Sequence, residues 1–227
     1  MRQVGWCLAL LLLAAPLFAS EAKPARVAVA GEKTLVERVQ RLGYAVYHLQ
    51  AAEVTENQLH EFDVLFVGTG VAGSLADKQQ IIESYVRGGG GLIVEQPNET
   101  GRIQLLPDTA ATTVDDWMYD GDNTRHDPVR DAVVTAEGQQ HPITAGLAAD
   151  DFPAVADKIC RTGLSSAYTV LAVQITNADL VQIAVARCGD GRVVVETGNT
   201  QLGAMHPGSD RFLRRMIDWA AHGEASP

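Results

Sequence analysis

The sequence predicts one α/β domain, with a mostly parallel sheet, helices on both faces of that sheet and an antiparallel extension toward the C-terminus. In the first half of the chain, apolar runs of strand length alternate with amphipathic stretches of helical period, which is typical of βαβ units. In the second half, strand-like runs follow one another with short turns between them, which indicates antiparallel pairing. The chain has 227 residues, 46% of them hydrophobic, and can bury a core without a metal or a disulfide.

Four strands are predicted in the first half. The clearest is Asp63–Val67, which reads DVLFV. It is a continuous apolar run of the kind that a parallel sheet buries on both faces. The other three are Arg26–Ala30, Ala45–Leu49 and Leu92–Glu95.

Two helices are predicted between these strands. Their starts are predicted by capping boxes at Thr34-x-x-Glu37 and Ser74-x-x-Asp77, because a Ser or Thr followed three residues later by an acid can satisfy free N–H groups. Their predicted ends are glycines, at Gly43 and at the run Gly88–Gly91.

The second half is predicted to pair as hairpins. Turns at Asn177–Asp179 and Gly189–Gly191 separate strand-like runs, whereas the Asp-rich segment 101–129 is interpreted as a long excursion. Ser209 or Asp210 is predicted to cap a last helix. The predicted strands are Ala132–Thr135, Val170–Thr176, Leu180–Ala186 and Arg192–Glu196, and the buried helix face comprises Phe212, Leu213, Met216, Ile217 and Ala220.

The first residues predict export. Met1 and Arg2 give a positive start, and Trp6–Ala19 is an uncharged run of 14 residues, too short for a bilayer span of about 20. We therefore expect residues 1–22 to be a signal peptide, 23–223 the mature domain and 224–227 a frayed tail. The expected location is secreted or periplasmic, with no membrane span in the mature form; a buried N-terminal helix is the alternative.

The charge balance argues against a nucleic-acid partner. The chain has 28 acidic and 18 basic residues, a formal net charge of −10, and phosphate binding needs clustered Lys and Arg. No cofactor is predicted.

The cysteines predict one disulfide. Cleavage of the signal peptide removes Cys7 and leaves Cys160 and Cys188. In an oxidising compartment these two could form a bridge. Two unpaired, buried thiols are the alternative, since the sequence does not show whether the two Cα atoms approach each other.

Three segments carry a family resemblance: GGGGLIVEQP at 88–97, HPITAGL at 141–147 and GDGRVVVETGN at 189–199. In this order, over about residues 26–222, the chain resembles the ThuA-like (trehalose utilisation) group of the class I glutamine amidotransferase-like superfamily. The resemblance implies a flavodoxin-like, class I glutamine amidotransferase-like fold and a link to sugars.

The chain departs from that superfamily at its nucleophile. Its enzymes place a Cys at the tight turn where this chain has Gln96-Pro97-Asn98. An amide cannot act as that nucleophile, and Gly-x-Ser-x-Gly is absent from the sequence. We therefore do not expect an enzyme that uses a Cys or Ser nucleophile at this turn.

Two further motifs have a functional and a structural interpretation. Gly68-x-Gly70-x-x-Gly73 follows a strand and precedes Glu95, as in dinucleotide-binding turns, but it can equally fix a helix against the sheet. The Asp-rich stretch 115–127 could supply oxygen ligands, although it lacks a calcium-loop pattern, so a solvated acidic loop is favoured and no metal site is predicted.

Two histidines are further candidates. His141 and His206 could contact a ligand, act as a base or serve as structural hydrogen bonders.

The candidate ligand-binding residues follow predicted parallel strands, because ligands of open parallel sheets bind at the carboxyl ends of strands. Hydroxyl, amide and carboxylate groups predominate there, which favours a small polar ligand such as a carbohydrate. The alternatives are a hydrolase or lyase that uses Glu95, Glu99 or His206 as acid or base, with a metal held by the Asp-rich stretch, and a structural module without ligand. The candidates are Glu32, Thr69, Gln96, Asn98, Glu99, Asn199 and His206.

Overall fold

The fold is built on one sheet, in which eleven strands are described. A computed structural model of the protein describes residues 24–95, 101–102, 105–108, 112–115, 132–148, 151–152, 157–161, 163–174, 177–197 and 209–224. The strands are β1 (Arg26–Ala30), β2 (Ala45–His48), β3 (Val64–Val67), β4 (Gly91–Glu95), β5 (Gly101–Arg102), β6 (Thr112–Asp115), β7 (Ala132–Val134), β8 (Asp157–Cys160), β9 (Tyr168–Gln174), β10 (Asn177–Cys188) and β11 (Gly191–Glu196).

The sheet has a parallel and an antiparallel part. Strands β2, β1, β3, β4 and β11 lie side by side in that order and are all parallel. Beyond β11, the order continues through β10, β8, β6 and β5 with antiparallel pairing, and β9 pairs with both β10 and β7. This arrangement confirms the predicted fold class.

Helices cover both faces of the sheet. The helices α1 (Lys33–Arg41) and α5 (Ser209–His222) pack on one face, which we call the α5 face, and α2 (Glu56–Leu59) and α3 (Gln79–Arg87) pack on the other. The short helix α4 (Ala136–Gln140) lies against β9 and β7. Two 3₁₀ segments, Ala51–Glu53 and Ala72–Lys78, complete the described helical structure.

The core of the α5 face follows from strand alternation. Phe66, Ile93 and Val194 occupy this face on adjacent strands and are fully buried, and Phe212 and Leu213 of α5 pack against the same layer. The predicted apolar face of the last helix is therefore confirmed. Burial of large apolar side chains of this kind stabilises a fold by about 1.5–3 kcal/mol each.

The predicted capping boxes are wrong. Helix α1 begins at Lys33, with Glu32 as N-cap and no side-chain cap, so that Thr34 lies inside the helix. The chain leaves β1 at Gly31 and turns at once, which starts the helix earlier than the motif suggested. Ser74 lies inside a 3₁₀ segment, where its hydroxyl donates to the carbonyl of Val71.

The start of α5 also differs from the prediction. Ser209 and Asp210 are the first two residues of the helix rather than its cap, and their side chains bind Arg38 of α1. Gly43, with a φ of 93°, ends α1 as predicted.

The antiparallel part holds two more corrections. Asn177–Asp179 is not a turn: β10 already begins at Asn177, which pairs with Gln174 of β9. The segment 101–129 is not only an excursion, because it contributes β5 and β6 to the sheet. The turn at Gly189 is confirmed, since Cys188 pairs with Gly191 across it.

The predicted disulfide is wrong. Cys160 pairs with Leu180 on β10, eight residues from Cys188 on the same strand. Eight residues of strand span roughly 27 Å, whereas a disulfide needs Cα atoms within about 7 Å. Cys188 is a buried free cysteine, and burial raises the pKa of its thiol.

Among the described residues, no helix has both the length and the apolar content needed to cross a membrane.

Candidate functional site

The carboxyl ends of the parallel strands define the candidate site. Strand β1 lies between β2 and β3, while α1 leaves toward one face and α2 and α3 pack on the other. The connections therefore diverge above β1 and β3. In open parallel sheets, such a topological switch point is where ligands bind.

Glycines bring two strand ends into contact at the switch point. A Cβ placed on Gly68, which follows β3, would lie 2.8 Å from Cδ2 of Leu35 and 3.4 Å from the Cα of Gly31. Leu35, in the first turn of α1, therefore occupies the space that a side chain at position 68 would need. The next α-helix, α3, starts only at Gln79. The structure thus favours the packing interpretation of the Gly68–Gly73 motif over dinucleotide binding.

Two carboxylates lie side by side at the ends of the central strands. Glu95 ends β4, Glu196 ends β11, and the two are direct partners in the parallel register, so that their Cα atoms are roughly 4.8 Å apart. The exposed fractions of Glu95 and Glu196 are 0% and 1%. Because Ile93 and Val194 belong to the α5 face, period-two alternation places both carboxylates on that face. Adjacent carboxylates repel each other when ionised, so such a pair favours hydrogen-bond donors or a cation beside it.

Neutral polar groups lie at the same edge of the sheet as this pair. The backbone N–H of Thr197 donates to the carbonyl of Gln182 on β10 at 3.0 Å, so these two residues adjoin Glu196. The Thr197 hydroxyl and the Gln182 amide nitrogen are buried and have no hydrogen-bond partner among the described residues. The same holds for the hydroxyl of Thr69, after β3. A buried polar group without a partner costs about 1–3 kcal/mol, which a hydrogen-bonding ligand would recover.

The first residues of helix α5 lie toward this edge of the sheet. Ala220, near its C-terminal end, packs against Gly91 at the start of β4, so the helix runs antiparallel to the strand and Ser209 lies toward the carboxyl end. Nε of Arg38 donates to Oδ1 of Asp210 at 2.7 Å, and Arg38 is only 5% exposed. This buried guanidinium fixes the helix start next to α1.

The structure describes two of the seven predicted ligand-binding residues. Glu32 is exposed at the N-cap of α1, where its carbonyl accepts from the N–H groups of Leu35 and Val36. Thr69 is half-buried at the switch point. The other five lie outside the described residues: Gln96, Asn98, Glu99, Asn199 and His206.

The prediction missed Glu196 and Gln182. A signal for Glu196 was present, because β4 and β11 both end an apolar run with glutamate, as LIVE and VVVE. No pattern in the sequence distinguished Gln182. Within the described part of the chain, no group of three or more His, Cys, Asp or Glu side chains is arranged to hold a metal ion; of the predicted acidic stretch, residues 116–127 lie outside that part.

His141 lies away from this edge. Its ring packs edge-on against Trp219 of α5 with ring centroids 5.0 Å apart, and Trp219 is next to Ala220, which marks the amino end of β4. Burial lowers the pKa of His141 to about 4. A base at the carboxyl edge is therefore not a role that this histidine can take.

No protein-family model matches the chain. No curated protein matches it either. Solved structures do, with little sequence identity. A cytoplasmic protein of Salmonella typhimurium LT2 is 16% identical with a TM-score of 0.59, over 88% of this chain and 100% of that one.

Two proteins described as ThuA-like share the fold. The one from Bacteroides uniformis is 11% identical with a TM-score of 0.58, over 93% of this chain and 98% of that one. The one from Parabacteroides merdae is 12% identical with a TM-score of 0.53, over 90% and 92%. The chain thus has a ThuA-like fold, as the sequence resemblance implied.

Proposed function

We propose that this ThuA-like domain binds a small polar ligand, such as a carbohydrate, at the carboxyl edge of its parallel strands. The observation that carries the proposal is the buried, in-register pair Glu95 and Glu196. Carboxylates accept hydrogen bonds from several donors at once. Vicinal hydroxyls of a sugar are donors at a spacing that two adjacent carboxylates can share.

The neutral groups at this edge support the same ligand class. Each hydroxyl of a sugar both donates and accepts, so it can pair with the hydroxyls of Thr69 and Thr197 and with the amide of Gln182, which have no partner among the described residues. A phosphate is disfavoured beside two carboxylates because of charge repulsion.

A second candidate function is acid–base hydrolysis of a sugar-like substrate. The same carboxylate pair favours it, because glycosidases use two carboxyl groups, one as acid and one as base or nucleophile. Covalent catalysis by the turn after β4 is not proposed, since its first residue is Gln96.

We also propose that the chain is exported and that the mature protein begins between Ser20 and Lys23. The charged start and the 14-residue apolar run support this. N-terminal sequencing of protein recovered from the exporting host tests it. A mature chain that keeps Met1 would refute export by a cleaved signal.

Ligand binding is tested by calorimetric titration of the purified domain with glucose, trehalose and myo-inositol. We expect saturable binding of at least one polyol. Glu95→Gln and Glu196→Gln each replace a carboxyl group by an amide of the same shape, and each should weaken that binding roughly tenfold to a hundredfold. Glu61→Gln, an exposed carboxylate elsewhere, is the matched control and should bind like the wild type.

Two outcomes would overturn the proposal. One is the absence of saturable binding for all three polyols. The other is equal affinity in the wild type and both carboxylate variants. Release of p-nitrophenol from p-nitrophenyl glycosides, lost in Glu95→Gln, would favour the hydrolase over the binding module.

A further inference from the structure

A cavity lies at the opposite edge of the sheet, next to the C-terminal end of α5. Its volume is about 470 Å³, within the range of small-molecule sites. Its polar walls are formed by His141, Thr169, Arg187 and Trp219, and its apolar wall by Pro142, Ala167 and Val185. Neither the carboxylate pair nor the switch point takes part in it.

The sheet register explains why these side chains converge. Thr169 of β9 pairs with Val185 of β10, and Val185 belongs to the α5 face. Arg187 is two residues further along β10 and therefore lies on the same face. Its partner across the hairpin is Arg192 of β11, so two guanidinium groups are brought together under the end of α5.

The two arginines have different roles. Arg192 donates to the last carbonyls of α5, at Ala220 and Ala221, where a cation offsets the negative end of the helix dipole. Burial, together with the charge of Arg187, lowers the pKa of Arg192. Arg187 is exposed and has no ion pair among the described residues, and none of the described residues that line the cavity carries a carboxylate.

The remaining polar walls donate hydrogen bonds. Nδ1 of His141 accepts from the backbone N–H of Ile143 at 3.3 Å, which leaves the proton of the neutral ring on Nε2. Trp219 is 5% exposed, and its indole N–H has no protein partner among the described residues. The cavity thus combines one guanidinium, two ring N–H donors and a hydroxyl with an apolar wall.

We propose that this cavity binds an organic carboxylate. A guanidinium pairs with a carboxylate through two parallel hydrogen bonds, and the N–H groups of His141 and Trp219 add further donors for its oxygens. The apolar wall of Pro142, Ala167 and Val185 accommodates a hydrocarbon body, which inorganic phosphate lacks. The site is distinct from the carboxyl edge and does not depend on the function proposed there.

The test uses calorimetric titration of the full domain with acetate, butyrate, benzoate and inorganic phosphate. We expect saturable binding of butyrate or benzoate with a Kd in or below the millimolar range, and weaker binding of acetate and phosphate. Arg187→Gln should weaken the binding at least tenfold. Arg41→Gln, an exposed arginine at the end of α1, is the matched control and should change it less than twofold.

Trp219→Phe keeps an aromatic ring and removes the N–H donor, so the affinity for the carboxylate should fall by about threefold to tenfold.

Three outcomes would overturn the proposal. The first is tighter binding of phosphate than of benzoate, which would make phosphate the ligand class. The proposal is also overturned if none of the carboxylates binds, or if Arg187→Gln and Arg41→Gln weaken binding equally, because the effect is then one of net charge.

Discussion

The two edges of the α5 face carry opposite chemistry. At the carboxyl edge, β4 and β11 end in the buried pair Glu95 and Glu196. At the amino edge, the hairpin between β10 and β11 places Arg187 beside Arg192. Between them, the strands present only apolar residues to α5, such as Ile93 and Val194.

The contrast between the apolar centre and the polar edges distinguishes residues that stabilise the fold from residues that could bind a ligand. The apolar centre accounts for the packing of α5, and replacement of the edge residues by other polar side chains would leave that layer intact. The acids at one edge and the hydrogen-bond donors at the other instead offer groups that ligands of opposite charge can bind. This contrast agrees with the two proposals made above, in which the edges bind ligands while the centre stabilises the fold.

The largest expected effect is at the centre. Phe212→Ala removes a fully buried ring that packs against Phe152 at a centroid distance of 5.4 Å. We expect the free energy of unfolding to fall by about 3–5 kcal/mol, as measured by urea denaturation. A loss below about 1 kcal/mol would show that α5 is not anchored by this layer.

A smaller loss is expected where α5 is anchored to α1. Arg38→Met removes the buried guanidinium that binds Asp210 and Ser209. We expect the free energy of unfolding to fall by about 1–3 kcal/mol. The loss should not be larger, because Asp210 is half-exposed and water can solvate its carboxylate. Arg41→Met, at the exposed end of the same helix, is the control. Equal effects of the two variants in urea denaturation would contradict the anchoring role.

The amino edge predicts a pH effect. The pKa of His141 is near 4 in the folded state against about 6.5 when unfolded, so the unfolded state binds the extra proton. Stability should therefore be fully present above pH 6.5 and fall as the pH drops toward 4. Since the ring is partly exposed, we expect a contribution on the order of 2 kcal/mol.

His141→Gln cannot take up that proton. Its free energy of unfolding should therefore depend less on pH between 7 and 4 than that of the wild type, as measured by urea denaturation at several pH values. Identical pH profiles for the two proteins would refute the buried, neutral ring.

The smallest effect concerns the two cysteines Cys160 and Cys188. With Cys188 unpaired, a reducing agent should change the free energy of unfolding by less than about 0.5 kcal/mol. A disulfide that closed the loop from Cys160 to Cys188 would instead be worth about 3.5 kcal/mol in the chain-entropy model. Mass spectrometry of unreduced peptides should find two thiols, and a bridged peptide would contradict the register of β8 and β10.

The local apolar pattern of the sequence predicts the strands and the buried face of α5 well. The run VLFV of β3 is buried because both faces of the strand are covered, and that apolar pattern is visible in the sequence without the fold. Distances that depend on which strands pair, and in which register, cannot be inferred from the local sequence pattern. The distance from Cys160 to Cys188 depends on β10 extending eight residues beyond Leu180.

The sequence indicates the edge of the sheet at which we propose the site, but not which side chains become neighbours there. The carboxyl ends of the parallel strands follow from the βαβ order, and Glu95 lies at one of these ends. Its partner Glu196 is about a hundred residues away in the sequence and becomes a neighbour only because β11 inserts beside β4. The start of α1 was mispredicted because Glu32 caps the helix through its backbone alone.

The most direct measurement is a crystal structure of the domain with the polyol that binds best in the titration panel. The account predicts ligand hydroxyls about 2.5–3.0 Å from carboxylate oxygens of Glu95 and Glu196, with the hydroxyl of Thr197 or Thr69 in contact. Polyol bound only in the cavity beside His141 and Trp219, or only at the surface, would contradict the assignment of the carboxyl edge as the ligand site.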